Sequence, residues 1–130
     1  MDSVRLLEAI DAEARKHGKR VDILLEIHIA AEATKQGFTP EEALAVAGQM
    51  NRFPGVRLRG VMGMASFTDD SDQVRREFRS LKALSEQLAG LPDCDQVSMG
   101  MSQDWRIAVE EGTTLVRIGT AIFGKRSQTR

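Results

Sequence analysis

Val21-Asp-Ile-Leu-Leu-Glu-Ile-His-Ile29 is the stretch that best indicates the fold, because its side chains alternate between two faces. One face is wholly aliphatic and the other is mainly polar. A period of two predicts a β-strand. Upstream, residues 2–17 place apolar side chains at helical spacing after a capping Ser3 or Asp2, and Gly18 follows as a stop signal, so a helix precedes the strand.

The same alternation continues downstream. Thr39-Pro-Glu-Glu42 predicts a helix start, with Thr39 as the cap, Pro40 in the first turn and Glu42 closing a capping box. The next strand is predicted at residues 56–65, where Gly60 and Gly63 indicate a close backbone approach. The remaining predicted elements are a long helix that begins within residues 68–72, a strand at 95–101, a short helix capped by Ser102, a strand at 114–118, a possible last helix and a polar tail at 125–130.

Four strands that alternate with helices predict an α/β fold with a parallel sheet. Such a unit is half of a (β/α)8 barrel, which typically needs about 250 residues. A flavodoxin-like open sheet is the alternative, although it prefers five strands. A half barrel leaves two sheet edges unpaired and its inner face open to water. We therefore expect residues 1–130 to form a single unit that is either a piece of a longer protein or pairs with another copy.

Composition excludes several classes of protein. The 130 residues carry a formal net charge of -1, which argues against binding to a nucleic-acid backbone. No apolar stretch approaches the roughly 20 residues of a membrane helix, and acidic residues near the start argue against a secretory signal. The single cysteine, Cys94, excludes an internal disulfide and a multi-cysteine metal site, so we expect a reduced, cytoplasmic setting and no bound metal.

Ser98-Met-Gly-Met-Ser102 lies at the carboxyl end of a predicted strand. The Ser102 hydroxyl and the main-chain N–H groups after it could bind a phosphate or a carboxylate. The alternative is that Ser102 merely caps the helix and Gly100 merely eases a turn.

Val116-Arg-Ile-Gly-Thr120 holds a charged residue inside a predicted strand. Arg117 would point into the crevice of the barrel, and Gly119 and Thr120 could donate hydrogen bonds at the strand's carboxyl end, where ligands bind in parallel α/β folds. The alternative is that Arg117 only pairs with Glu26, because a buried charge needs a partner.

Other polar residues suggest no chemistry by their spacing. His28 is expected to be a hydrogen-bonded rim residue, and Lys35 a solvated loop residue. The charged run Arg75-Arg-Glu77, with Arg79 and Lys82, is expected to be the solvated face of its helix.

Taken together, several segments resemble one family. Ser98-Met-Gly-Met-Ser-Gln-Asp104 followed by Glu111-Gly-Thr-Thr-Leu-Val-Arg-Ile-Gly-Thr-Ala-Ile-Phe-Gly124 is similar to the end of the pyridoxal phosphate homeostasis proteins of the YggS/PROSC type. Leu58-Arg-Gly-Val-Met62 and Glu32-Ala-Thr-Lys-Gln-Gly37 match two further motifs of that family. The resemblance covers almost the whole chain.

The resemblance implies a fold like the barrel domain of alanine racemase and a non-catalytic protein that buffers or delivers pyridoxal 5'-phosphate (PLP). It implies that Ser102, Gly119 and Thr120 hold the phosphate and that Met101 lines the pocket. Arg117 would face the pyridine nitrogen and keep it unprotonated, which supports carbanion chemistry poorly.

The chain departs from this family in length. Members are nearly twice as long, and their first half carries the lysine that forms the Schiff base; this chain matches strands five to eight only. Lys35 is the one substitute that we consider. Two other hypotheses remain: a structural half barrel that self-associates or is completed by the missing N-terminal half, and a racemase-like enzyme, although the chain has no tyrosine to act as the racemase's second base.

Overall fold

Helices and strands alternate along the chain in the computed structural model, which describes residues 1–31 and 36–119. This order confirms the α/β class with a parallel sheet. A 3-10 turn, Met50–Arg52, precedes the second strand. The elements are α1 (Val4–Lys16), β1 (Val21–Glu26), α2 (Pro40–Ala47), β2 (Val56–Met62), α3 (Ser71–Leu88), β3 (Gln96–Ser98) and α4 (Trp105–Glu110).

The sheet is parallel and its strands lie in chain order, β1-β2-β3. The register shifts between Ile23 and Leu24, opposite Leu58 and Gly60, so β2 bulges at that point. Gly60 has φ of 151°, and a Cβ there would lie 1.8 Å from the main-chain oxygen of Gln96. The predicted close backbone approach at Gly60 is therefore confirmed.

The predicted fourth strand is wrong as a regular strand. In the part of the chain that the structure describes, residues 114–118 contribute one parallel bridge, between Leu115 and Ser98. The main-chain N–H of Val97 donates to Thr114 Oγ1 at 2.8 Å, where a regular ladder would supply a carbonyl. This side-chain acceptor interrupts the ladder, although the segment still lies beside β3.

Among the described residues, three α-helices begin at a residue whose side chain caps them, including Asp70 at α3, and a fourth does not. Ser3 caps α1, and Thr39 with Glu42 forms the predicted capping box of α2. The prediction that Ser102 caps α4 is wrong, because the N-cap position belongs to Asp104. Asp104 instead accepts a hydrogen bond from the main-chain N–H of Met101 at 2.7 Å, so residues 101–104 form a turn and the helix begins later.

The core lies between the sheet and the helices packed against one of its faces. Leu25 and Val61 supply the sheet side, and Phe78 and Leu81 of α3 cover them, all four wholly buried. Each such side chain contributes about 1.5–3 kcal/mol of burial free energy. No helix within residues 1–31 and 36–119 is long and apolar enough to cross a membrane.

Candidate functional site

Loops meet at one end of the sheet, because parallel strands end at a common edge. We call this end the carboxyl edge; it comprises residues 27–31, 63–67, 99–104 and 116–119. The predicted strands are longer than the observed ones, and the excess residues form these loops. Gly63 N–H donates to the Ser98 carbonyl at 3.0 Å, and Arg117 N–H donates to the Gly100 carbonyl at 2.9 Å. The carboxyl edge is thus hydrogen-bonded across its loops.

Arg117 reaches across the carboxyl edge. Its Nη2 donates to the main-chain carbonyl of Gly63 at 3.0 Å, so the guanidinium spans from the last described segment to the end of β2. Its Nε is buried and has no hydrogen-bond partner among the described residues. A buried donor without an acceptor costs about 1–3 kcal/mol, so this nitrogen is suited to a ligand acceptor.

The electrostatic surroundings of Arg117 differ from a simple ion pair. Burial lowers the pKa of the Arg117 guanidinium, and the charges of Glu26 and Asp104 partly oppose that shift. Within the described residues, no Arg117–Glu26 ion pair is formed; Glu26 acts through space only. The alternative that Arg117 pairs directly with Glu26 is therefore wrong.

Met101 and Ser102 lie in the turn that follows β3. Met101 is 37% exposed and Ser102 is half-buried. Gly100, just before them, has φ of 101°, and a Cβ there would lie 2.6 Å from the Cβ of Ala108. This close packing, together with the Arg117–Gly100 hydrogen bond, brings the turn beside the Arg117 segment.

Three other candidate residues have different outcomes. Gly119 is exposed and follows Arg117 at the carboxyl edge. Thr120 and Lys35 lie outside the described residues.

A cavity of about 340 Å³ opens at the ends of β1 and β2. Its volume is within the usual range for small-ligand sites, roughly 300–1,000 Å³. His28 lies at the rim of this cavity, and its main-chain N–H donates to the main-chain carbonyl of Phe38 at 2.9 Å. The cavity is lined by residues that include Glu26, His28, Ala30, Met64, Ala65 and Phe67.

The prediction for Glu77 is wrong. The charged run predicts that Glu77 lies on the solvated face of its helix, but it is buried, with 9% exposure. The signal was its spacing, three residues after Val74 and four before Leu81, which places Glu77 on the apolar face of α3. Its carboxylate accepts from the main-chain N–H and from the hydroxyl of Ser66, both at 2.6 Å, at the carboxyl edge.

Comparisons with known proteins identify the family of this chain and agree with its fold. The sequence matches the family model described as "Alanine racemase, N-terminal domain" over residues 1–127. A pyridoxal phosphate homeostasis protein of Vibrio alginolyticus is 35% identical over 127 residues, which is 97% of this chain and 54% of the relative. The human protein of the same name is 34% identical over 138 residues, which is 100% of this chain and 50% of the relative.

Solved structures also have the fold of this chain. PipY of Synechococcus elongatus PCC7942 without PLP superposes with a TM-score of 0.86 at 30% identity, covering 95% of this chain and 59% of that one. The structure of PipY with PLP bound gives 0.79 at 29% identity, covering 95% and 58%. The chain spans about half the length of the curated relatives that it matches. It belongs to the family of the alanine racemase N-terminal domain, and within that family it resembles the pyridoxal phosphate homeostasis proteins.

Proposed function

We propose that this chain binds PLP non-covalently at the carboxyl edge, as the C-terminal half of a cofactor-carrier barrel, and that it catalyses no reaction. Relatives of the chain are named for PLP homeostasis, and PipY has a structure with PLP bound. The sequence contains one cysteine, Cys94, and therefore no internal disulfide, which supports a cytoplasmic setting for this carrier.

The observation that carries the proposal is the buried Nε–H of Arg117, which lacks an acceptor within the described residues. The unprotonated pyridine nitrogen of PLP is such an acceptor. A guanidinium is a donor only and does not give up its proton near neutral pH, so it leaves that nitrogen unprotonated. PLP supplies a reactive aldehyde and an electron-withdrawing ring, and an arginine at the ring nitrogen weakens the latter. A weaker electron-withdrawing effect of the ring suits a carrier, because the bound cofactor is then less able to support carbanion chemistry.

We assign the phosphate of PLP to donors in the turn after β3 and in the sequence that follows Arg117. Ser102 offers a hydroxyl in that turn, and Gly119 a main-chain N–H; Thr120, next in sequence and outside the described residues, carries a hydroxyl and an N–H. Met101, partly exposed in the same turn, would lie along the ring.

The test is a titration of the full chain with PLP, followed by absorbance and by the fluorescence of Trp105. We expect saturable binding that Arg117→Ala weakens by about 10-fold or more, since a hydrogen bond from a charged donor is worth about 1.5–3 kcal/mol. Arg52→Ala is the matched control, because Arg52 is an exposed arginine just before β2, at the opposite end of the sheet. Equal affinity in both variants, or no binding by the wild-type chain, would refute the proposal.

Lys35 can be tested separately as a substitute anchor. Borohydride reduction of the PLP mixture, followed by intact mass and peptide mapping, would give an adduct on Lys35 if that amine reacts with the aldehyde. An unmodified chain that still shows saturable binding would support a purely non-covalent site.

A second candidate function is a structural half barrel that is completed by another polypeptide. In the part of the chain that the structure describes, β1 is the first strand of the sheet and no further strand pairs with its outer side, although Met1 and Phe38 hydrogen-bond to Glu26 at its carboxyl end. Val21 on that strand is 38% exposed, and Leu115 at the opposite side is 48% exposed. Such edges favour pairing with a second copy or with the N-terminal half of a racemase-like barrel. Light scattering would give a dimer mass for the first and a monomer mass for the second.

A racemase-like activity is the third and weakest alternative. It needs a lysine base and a second base, and the chain contains no tyrosine for the latter role. Loss of chirality from L-alanine in the presence of PLP and this chain would be the observation that favours it.

A further inference from the structure

The Glu77 carboxylate lies beneath the carboxyl edge and accepts three hydrogen bonds from residues that the structure describes. Ser66 N–H reaches Oε1 at 2.6 Å, the Ser66 hydroxyl reaches Oε2 at 2.6 Å, and Gln73 Nε2 reaches Oε2 at 3.1 Å. Three donors satisfy most of what a buried carboxylate loses when it leaves water. The arrangement is therefore a built network rather than a chance contact.

Ser66 extends this network to a second loop. Its Oγ accepts the main-chain N–H of Ala31 at 2.7 Å, although the two residues are 35 positions apart. Ala31 follows β1 and Ser66 follows β2, so one hydroxyl joins the loops at the ends of two strands. Their neighbours Ala30 and Ala65 line the 340 Å³ cavity.

The same loop also touches Arg117. Gly63 begins the segment 63–67, and its carbonyl accepts the Arg117 Nη2 hydrogen bond. One end of this five-residue segment is thus bonded to the guanidinium and the other end to Glu77. Movement of Ser66 would displace both the cavity wall and the acceptor that orients Arg117.

We propose that Glu77 is a positioning residue, whose buried carboxylate holds the loops after β1 and β2 together and thereby sets the cavity and the Arg117 guanidinium for the ligand. The effect on ligand affinity rests on the proposed PLP binding. The holding of the two loops does not, because it follows from the hydrogen bonds alone.

Amide hydrogen exchange on the full chain tests the holding of the loops. In Glu77→Ala, the Ala31 and Ser66 amides should exchange at least about tenfold faster, while the β2 amides of Leu58 and Val61 keep their wild-type rates. Glu86→Ala is the matched control, because it removes an exposed carboxylate from the same helix. Unchanged exchange at Ala31 and Ser66 would overturn the proposal.

Two further variants keep the proposal falsifiable if Glu77→Ala does not fold. Ser66→Ala removes the hydroxyl and should accelerate exchange at Ala31, whereas the Ser66-position amide keeps its carboxylate acceptor and stays protected. Glu77→Gln retains one carbonyl acceptor for that amide but turns a donor toward the hydroxyl, so its Ala31 amide should exchange faster than that of the wild type. An Ala31 exchange rate equal to the wild-type rate in both Ser66→Ala and Glu77→Gln would overturn the proposal.

PLP titration then separates the two hypotheses. If the wild type binds, Glu77→Ala should weaken binding about fivefold or more and Glu77→Gln less, with Glu86→Ala unchanged; equal affinities would refute the role of Glu77 in the site. If the wild type does not bind, the proposed function fails, and the exchange data still decide whether Glu77 holds the loops.

Discussion

The carboxylate of Asp11 accepts a hydrogen bond from the main-chain nitrogen of Gly55 at 2.7 Å, across 44 residues of chain. Asp11 is 3% exposed although it lies on α1, and its other oxygen accepts from Arg15 Nε at 3.1 Å. A Cβ on Gly55 would lie 2.9 Å from the Asp11 carbonyl oxygen, so the turn before β2 packs directly against α1. This contact joins the first helix to the central strand.

Asp11→Ala should lower the free energy of unfolding by about 2 kcal/mol, because it leaves the buried N–H of Gly55 without its acceptor. Urea denaturation followed by circular dichroism measures the change. Asp2→Ala is the control, since Asp2 is exposed. A midpoint equal to that of the wild type would show that water replaces the carboxylate at no cost.

Gly60→Ala should be among the most destabilising substitutions in the chain, with a loss of about 3 kcal/mol or more. The added Cβ would meet the Gln96 main chain, and main chain cannot turn aside as a flexible side chain can. Gly90→Ala is the matched control, because a Cβ at Gly90 meets nothing within 4 Å. Thermal unfolding of the two variants side by side gives the comparison, and similar melting temperatures would contradict the close β2–β3 approach.

Thr39→Ala should lower the free energy of unfolding by about 1 kcal/mol through loss of the α2 cap. The Thr39 hydroxyl accepts the Glu42 N–H at 3.1 Å, and the Glu42 carboxylate accepts the Thr39 N–H at 2.9 Å. Thr39→Ser keeps the oxygen and should retain most of the stability. Chemical denaturation of both variants tests the capping box; equal losses would assign the effect to the Thr39 methyl group instead.

Glu111 should make stability depend on acid pH. Arg75 and then Arg79 hold the pKa of the Glu111 carboxyl below its ordinary value of 4.5, through side-chain hydrogen bonds to both. A lowered folded-state pKa means that this stabilisation is fully present above pH 4.5 and is lost as the pH falls through the folded-state value. The melting temperature of Glu111→Gln should therefore lie below the wild type near neutral pH and converge with it as the pH falls through the lowered pKa of Glu111.

The control for this pH effect is Glu86→Gln, measured under the same conditions, since Glu86 is an exposed carboxylate on α3. Its melting temperature should track the wild type at every pH. A Glu111→Gln deficit in melting temperature that stayed constant as the solution was acidified until the protein unfolded would mean that the carboxylate charge is not what binds Arg75 and Arg79.

Local features were predictable because their partners are close in sequence. The Thr39 capping box needs only three residues of separation, and the period-two pattern of residues 21–26 reports a sheet face directly. The parallel order of the strands followed from their alternation with helices. Ser102 shows the limit of such reasoning, because Asp104, two residues later, accepts the Met101 N–H within a turn and takes the N-cap position.

The sequence by itself determined the α/β alternation, the cap of α2 and the family to which the chain belongs, because these depend on short-range patterns and on motif identity. Only the tertiary structure decided that Arg117 reaches Gly63, that Glu77 is buried against Ser66, and that residues 114–118 form a single bridge instead of a strand. Each of these depends on which donor meets which acceptor after distant segments pack together, and that competition is resolved only in three dimensions.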